Sequence, residues 1–380
     1  MKEKIIRFFK QETVLCAAFA LAAGSIFFVH PDKEYLGYVD FRTLAILFCL
    51  MSVMAGLQKS GLFQYVAQAL LSRVRKAWQL VLILVLLCFF SSMLVTNDVA
   101  LITFVPFTLI VLGMIGPEAK GQLMIPVVVL QTIAANLGSM LTPIGNPQNL
   151  YLYGKAGLSL GEFVLLMLPY AAVALVVILA WSLIQSRAYH GPVQVSFTED
   201  AEISGSKVQL AAYAVLFAFA LLTVARVVPY CVTLGVTIAA LLVMDRSIFG
   251  RVDYSLLLTF VGFFIFIGNI GRIPAFSQML QQIVSGHEIL AGVAASQVIS
   301  NVPAALLLSG FTENLSALII GVNLGGLGTL IASMASLISY KLIAREESQV
   351  KGAYFRYFTV ANVCFLVVLL VFALILEAQI

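Results

Sequence analysis

Along the chain, apolar runs long enough to cross a bilayer alternate with short polar interruptions. A spanning helix needs about 20 mostly apolar residues. Runs of that kind fall at 12–29, 43–57, 78–95, 98–115, 122–153, 162–185, 207–228, 231–245, 253–270, 290–309, 313–340 and 357–377. Two of them predict broken helices: 122–153 has a centre rich in Gly, Pro and Asn, and 313–340 carries a cluster of glycines. The stretches 61–75 and 275–289 are shorter and more polar, which suits helices lying in the membrane interface. The pattern predicts an all-α polytopic membrane protein.

Composition makes lipid the solvent. Hydrophobic residues make up 61% and charged residues 11% of the chain, and the mean hydropathy is +1.03. A soluble domain is about half apolar and a quarter charged, and no single aqueous core hides that much apolar surface. Lys2, Lys4, Arg7 and Lys10 precede the run Val14 to Val29 as they would in a signal peptide. That run is long and is one of many, so it reads as the first membrane helix. Cys16, Cys49, Cys88, Cys231 and Cys364 lie inside apolar runs without a CxxC pair or a neighbouring His. They read as packing residues rather than disulfides or metal ligands. The net charge of +4 does not point to nucleic acid, because the basic residues sit between the apolar runs, where they set topology.

Lysine and arginine collect on the cytoplasmic side of inner-membrane proteins. We place the N-terminus inside and fold 78–115 and 290–309 as re-entrant hairpins that return to the side they left. Lys2, Lys4, Arg7, Lys10, Arg73, Arg75, Lys76, Lys120, Arg187, Lys207, Arg246, Arg251, Lys341, Arg345, Lys351 and Arg356 are then cytoplasmic. Lys33, Arg42, Lys155, Arg226 and Arg272 fall outside. A full span in place of either hairpin inverts everything after it and destroys the bias. The polar stretch near the middle divides the chain into a first half, 1–185, a cytoplasmic linker, 186–206, and a second half, 207–380.

The halves are related. Asp40-Phe41 and Asp253-Tyr254 each open a helix, and Val95-Thr96-Asn97-Asp98 matches Ile299-Ser300-Asn301-Val302. Asn136-Leu137-Gly138-Ser139, with Thr142 and Ile144, aligns without gaps on Asn323-Leu324-Gly325-Gly326, Thr329 and Ile331. In this topology Asp40 starts outside and Asp253 inside, so the repeats are inverted. Inverted repeats with broken helices build one site able to face either side of a membrane.

Pro143 and Pro147 each remove a helical donor, and Gly138 and Gly145 allow unusual backbone angles. Asn136, Thr142, Asn146, Gln148 and Asn149 gather dipoles at the same place. Such a break frees carbonyls for a cation and a half-helix N-terminus for an anion; a kink whose polar groups satisfy one another is the plainer alternative. Thr96-Asn97 and Ser300-Asn301 sit where hairpins turn and can cap half-helices. Asp98 is an ionisable group deep within apolar sequence, costly there and functional by default. It can bind Na⁺, take up a proton, or accept bonds from half-helix amides. Its counterpart is Val302, so the halves are not chemically equivalent. Gly321, Gly325, Gly326 and Gly328 allow close helix contact or close approach to an ion, and Ser333, Ser336 and Ser339 extend a polar stripe. A Walker A sequence, a His-Glu-x-x-His and a GxSxG are all absent, so an enzyme is not expected.

At these motifs the chain resembles the ion transporter superfamily, which includes divalent anion/sodium symporters, citrate transporters, arsenite permeases and certain sodium/proton antiporters. The resemblance spans nearly the whole chain: helix pair, interfacial helix, hairpin with Asn at its tip, then broken helix, twice over. It implies a homodimer in the inner membrane whose mobile part carries both hairpins and both broken helices and moves elevator-fashion. It implies cation sites between each tip and its broken helix, drawn from Asn97, Asp98, Asn136 and Gly138 and from Asn301, Asn323 and Gly325. The substrate would lie among Thr96, Asn97, Asp98, Thr142, Asn146, Ser300, Asn301, Thr329 and Ser333. No cofactor is implied beyond Na⁺ or H⁺ as the coupling ion. Dicarboxylate symporters of this group carry Ser-Asn-Thr at both tips; here the tips read Thr-Asn-Asp and Ser-Asn-Val, closer to the arsenite-permease side. The expectation is a cation-coupled transporter of a small anion or its neutral acid, with a sodium/proton antiporter as the alternative.

Overall fold

The computed structural model describes residues 12–72, 74–193, 195 and 207–378. The basic N-terminal residues, Arg73, and residues 194 and 196–206 of the linker lie outside these. In chain order the helices are α1 (Thr13–Ile26), α2 (Phe41–Lys59), α3 (Leu62–Leu71), α4 (Ala77–Ser92), α5 (Asn97–Ile115) and α6 (Pro117–Ser139). Then come α7 (Pro147–Ala156), α8 (Leu160–Ser186), α9 (Lys207–Val224), α10 (Tyr230–Met244), α11 (Tyr254–Gly271) and α12 (Pro274–Val284). The last five are α13 (Glu288–Ile299), α14 (Asn301–Leu308), α15 (Leu315–Leu324), α16 (Met334–Glu346) and α17 (Lys351–Glu377). Among the described residues no strand occurs, and 7 helices are long and apolar enough to cross a membrane: α2, α5, α6, α8, α9, α11 and α17. The chain is therefore an all-α, multi-pass membrane protein.

Local chemistry sets the boundaries. Asp40 caps α2 through Thr43 N (3.0 Å) and Asp253 caps α11 through Leu256 N (2.9 Å), both with φ −79° and ψ 84°. Ser159 and Glu162 exchange side-chain and backbone bonds at the start of α8. The broken helices form where the sequence places them. The first pairs α6 with α7 around Pro143 and Pro147, and the second pairs α15 with α16 around the glycines. The stretches 61–75 and 275–289 form α3 and α12.

Helix lengths separate the two hairpins. At 1.5 Å per residue, the 12 residues of α13 and 8 of α14 reach only about 18 and 12 Å, short of a hydrocarbon core about 30 Å thick. The first hairpin is longer, with 16 residues in α4 and 19 in α5. Its second arm is long enough to span, so re-entrance there rests on the charge bias.

Helix α6 is the centre of the molecule. Every residue from Val127 to Ser139 is buried, with α4, α5, α8 and α17 packed around it. The halves interlock across the breaks: α16 packs on α5, and α14 on α7. A second group gathers around α2 and α11, with α9 and α10 on α2 and α1 on α11. At one end of this group Arg272 pairs with Asp32 at 2.7 Å, and that bond holds the exposed carboxyl below its usual range.

Candidate functional site

Each hairpin turns through a strained residue. Thr96 has φ 69° and ψ 148°, and Ser300 φ 73° and ψ 154°, a region essentially reserved for glycine and costing about 1–3 kcal/mol. The next residue's N–H donates into the neighbouring break: Asn97 N to Gly145 O (3.2 Å) and Asn301 N to Ala332 O (2.9 Å). Two threonines clasp the first arms. Thr142 Oγ1 donates to the Met93 carbonyl, and Thr329 Oγ1 to the Gln297 carbonyl at 3.1 Å. Glycine makes the close approach possible. A Cβ on Gly138 would collide with the Phe89 carbonyl, and one on Gly325 would lie 2.6 Å from Ser296 Oγ.

The tips and breaks of both halves meet at one place. Asn97, Asp98, Asn146, Gln148, Asn301 and Ser333 line a cavity of about 10 Å³, room for roughly one water-sized particle. Asn136 ties it together: its Oδ1 accepts from Asn97 Nδ2 (2.9 Å) and Ser333 Oγ (3.0 Å), one from each half. Asn97 Oδ1 accepts from Asp98 N at 2.9 Å. Asn146 Nδ2 donates to Ser139 Oγ (2.6 Å), and Asn323 Nδ2 to Asn149 Oδ1 (2.7 Å), again across the halves.

Three side chains here keep unused capacity. Asp98 Oδ1 is buried without a hydrogen-bond partner, as are both amide atoms of Gln148 and Oδ1 of Asn323. None of the ion pairs among the described residues involves Asp98. Asp98 and Thr96 also line a second cavity of about 180 Å³ against α2, together with Arg251 and Asp253. Ser300 lines a third, of about 460 Å³, with Asp253 and Lys341. Oxygen donors with one carboxylate, in so small a space, suit a hard cation or a proton.

The residues singled out by sequence thus divide. Asn97, Asp98, Asn146, Asn301 and Ser333 converge, Asn136 joins them, and Thr96 and Ser300 shape the tips. Thr142 and Thr329 fasten hairpin to break, and Thr329 is exposed. Gly138 and Gly325 serve close packing, and the Gly325 carbonyl is taken by Gln297 Nε2 (3.0 Å). Gln297 is a candidate that the sequence reading did not name, and Gln148 one that it placed in the break but not among the binding residues. A glutamine directly after Pro147, in the first turn of a half-helix, was the available signal for Gln148.

Comparison with known proteins agrees with this architecture. Residues 8–316 match the family described as Citrate transporter. An uncharacterized transporter of Methanocaldococcus jannaschii is 32% identical over 311 residues, covering 81% of this chain and 83% of the relative. The inner membrane protein YbiR of Escherichia coli is 31% identical over 330 residues, 84% of each chain. A magnetosome protein, MamN, of Paramagnetospirillum magneticum is 32% identical over 172 residues, 44% of this chain and 38% of its own.

Proposed function

Because the chain belongs to the citrate transporter family, and is thus a membrane transporter rather than an enzyme, we propose that it is a cation-coupled carrier of a small anion or its neutral acid. The observation that carries this is Asp98, whose Oδ1 is buried without a hydrogen-bond partner at the cavity shared by both tips and both breaks. A bare charge at membrane depth is costly, and a second anion beside it is costlier still. Na⁺ or H⁺ must therefore neutralise Asp98 before an anion binds, which makes coupling obligatory. The adjoining space of about 180 Å³, with Arg251 on its wall, suits a small anion or acid.

The proposal includes elevator-type movement of the hairpins and broken helices against the α2–α11 group. It also includes inverted repeats, a homodimer, and an inner (plasma) membrane location with the N-terminus in the cytoplasm. The inside bias of Lys and Arg supports the orientation, and the Escherichia coli relative, named an inner membrane protein, supports the location.

One observation favours a second reading. The cavity at the convergence has room for an ion but not for a carboxylic acid, as a sodium/proton antiporter requires. Proteoliposomes loaded with a pH-sensitive dye separate the two. Interior alkalinisation on a pulse of external Na⁺ alone, lost in Asp98→Asn, selects the antiporter. A flat trace, with uptake of citrate, succinate or arsenite driven by a Na⁺ or pH gradient and abolished by Asp98→Asn, selects the coupled carrier. Full, normally coupled transport by Asp98→Asn sinks both.

A further inference from the structure

The two halves fasten tip to break by the same contacts, yet they fill the space between differently. Met93 lies four residues before Asn97, and Gln297 four before Asn301. Their carbonyls accept from the matching threonines, Thr142 and Thr329. Gln297 therefore occupies the register of Met93. Its Nε2 donates to the carbonyls of Gly325 and Leu327, 3.0 Å each, while its Oε1 accepts from Thr329 N at 2.9 Å. Gly328, at φ 101°, lets the loop close around this amide; a Cβ there would collide with Oε1.

Carbonyls freed by a break in a membrane need a donor or a cation. In the second break an uncharged NH₂ group supplies that need for two converging carbonyls. Val302 stands where the first half has Asp98, so this half also lacks the carboxylate. Among the described residues of the second tip and break, the buried acceptors without a partner are Asn323 Oδ1 and Ser336 Oγ, two neutral oxygens where hard cations collect several, carboxylates among them.

We propose that the Gln297 amide takes the place of a second coupling cation, so that each chain binds one cation, at Asp98. The inference rests on the cation-coupled reading above and narrows it to a single coupling ion.

The test uses purified full-length protein, wild type, Gln297→Glu and Gln297→Met, compared in NaCl and choline chloride at equal ionic strength. Radioactive Na⁺ binding to wild type should saturate at one per chain with a Hill coefficient near 1. Gln297→Glu removes both donors and adds a carboxylate, so it should bind a second Na⁺ and gain Na⁺-dependent thermal stability that survives addition of Asp98→Asn. Gln297→Met should show the same stabilisation more weakly. Two Na⁺ per wild-type chain overturns the proposal, as does a Na⁺ response in both variants no larger than that of wild type. Zero Na⁺ in wild type with a new response in Gln297→Glu refutes Na⁺ coupling at Asp98 and upholds the role of Gln297.

Discussion

At the scale of single residues, the tips store strain to hold their asparagines in place. Thr96 keeps a glycine-like backbone because Asn97 N is bonded to Gly145 O and Thr142 grips the arm before it. Thr96→Gly should relieve the strain, worth about 1–3 kcal/mol, against the roughly 0.5–1 kcal/mol entropic cost of glycine. The variant is expected to unfold at equal or slightly higher denaturant concentration, yet to need several-fold more coupling cation for half-maximal transport. Unchanged cation dependence would mean that the strained tip does not shape the site. Asp98 stood out in the sequence because a charge inside an apolar run is costly. Gln297 was not, because its meaning depends on carbonyls some thirty residues further along the chain.

Between elements, the decisive contacts are helix faces meeting at glycine. Gly138 lets α6 lie directly on α4, and Gly325 does the same for the second break on α13. Gly138→Ala forces a methyl into the backbone of α4, so it should destabilise by about 1–3 kcal/mol or more in reversible detergent unfolding. Gly121→Ala, on the same helix with nothing within 4 Å, should be neutral or stabilising by about 0.5–1 kcal/mol. Equal effects at the two positions would contradict the packing assigned to Gly138. The sequence marked both glycines by their repeat but left open whether they face an ion or a helix. The neighbouring backbone shows the helix contact.

For the whole molecule, the contacts fall into a group around the breaks and a group around α2 and α11, with the 180 Å³ cavity between them. Met51 on α2 and Ile102 on α5 both line that cavity. In a cysteine-free background, Met51→Cys with Ile102→Cys, joined by a short cleavable cross-linker, should lose most transport and recover it on cleavage. Transport at the unlinked rate would rule out relative movement of the two groups. The sequence by itself determined the solvent, the all-helical class and the breaks, because hydropathy, proline and glycine act locally. Tertiary structure alone decided which polar groups remain unpaired. Asn136 and Ser333 lie 197 residues apart, and Asn149 and Asn323 lie 174 apart. Hydrogen-bond capacity is spent between such distant partners, so what is left for an ion appears only once the chain has folded.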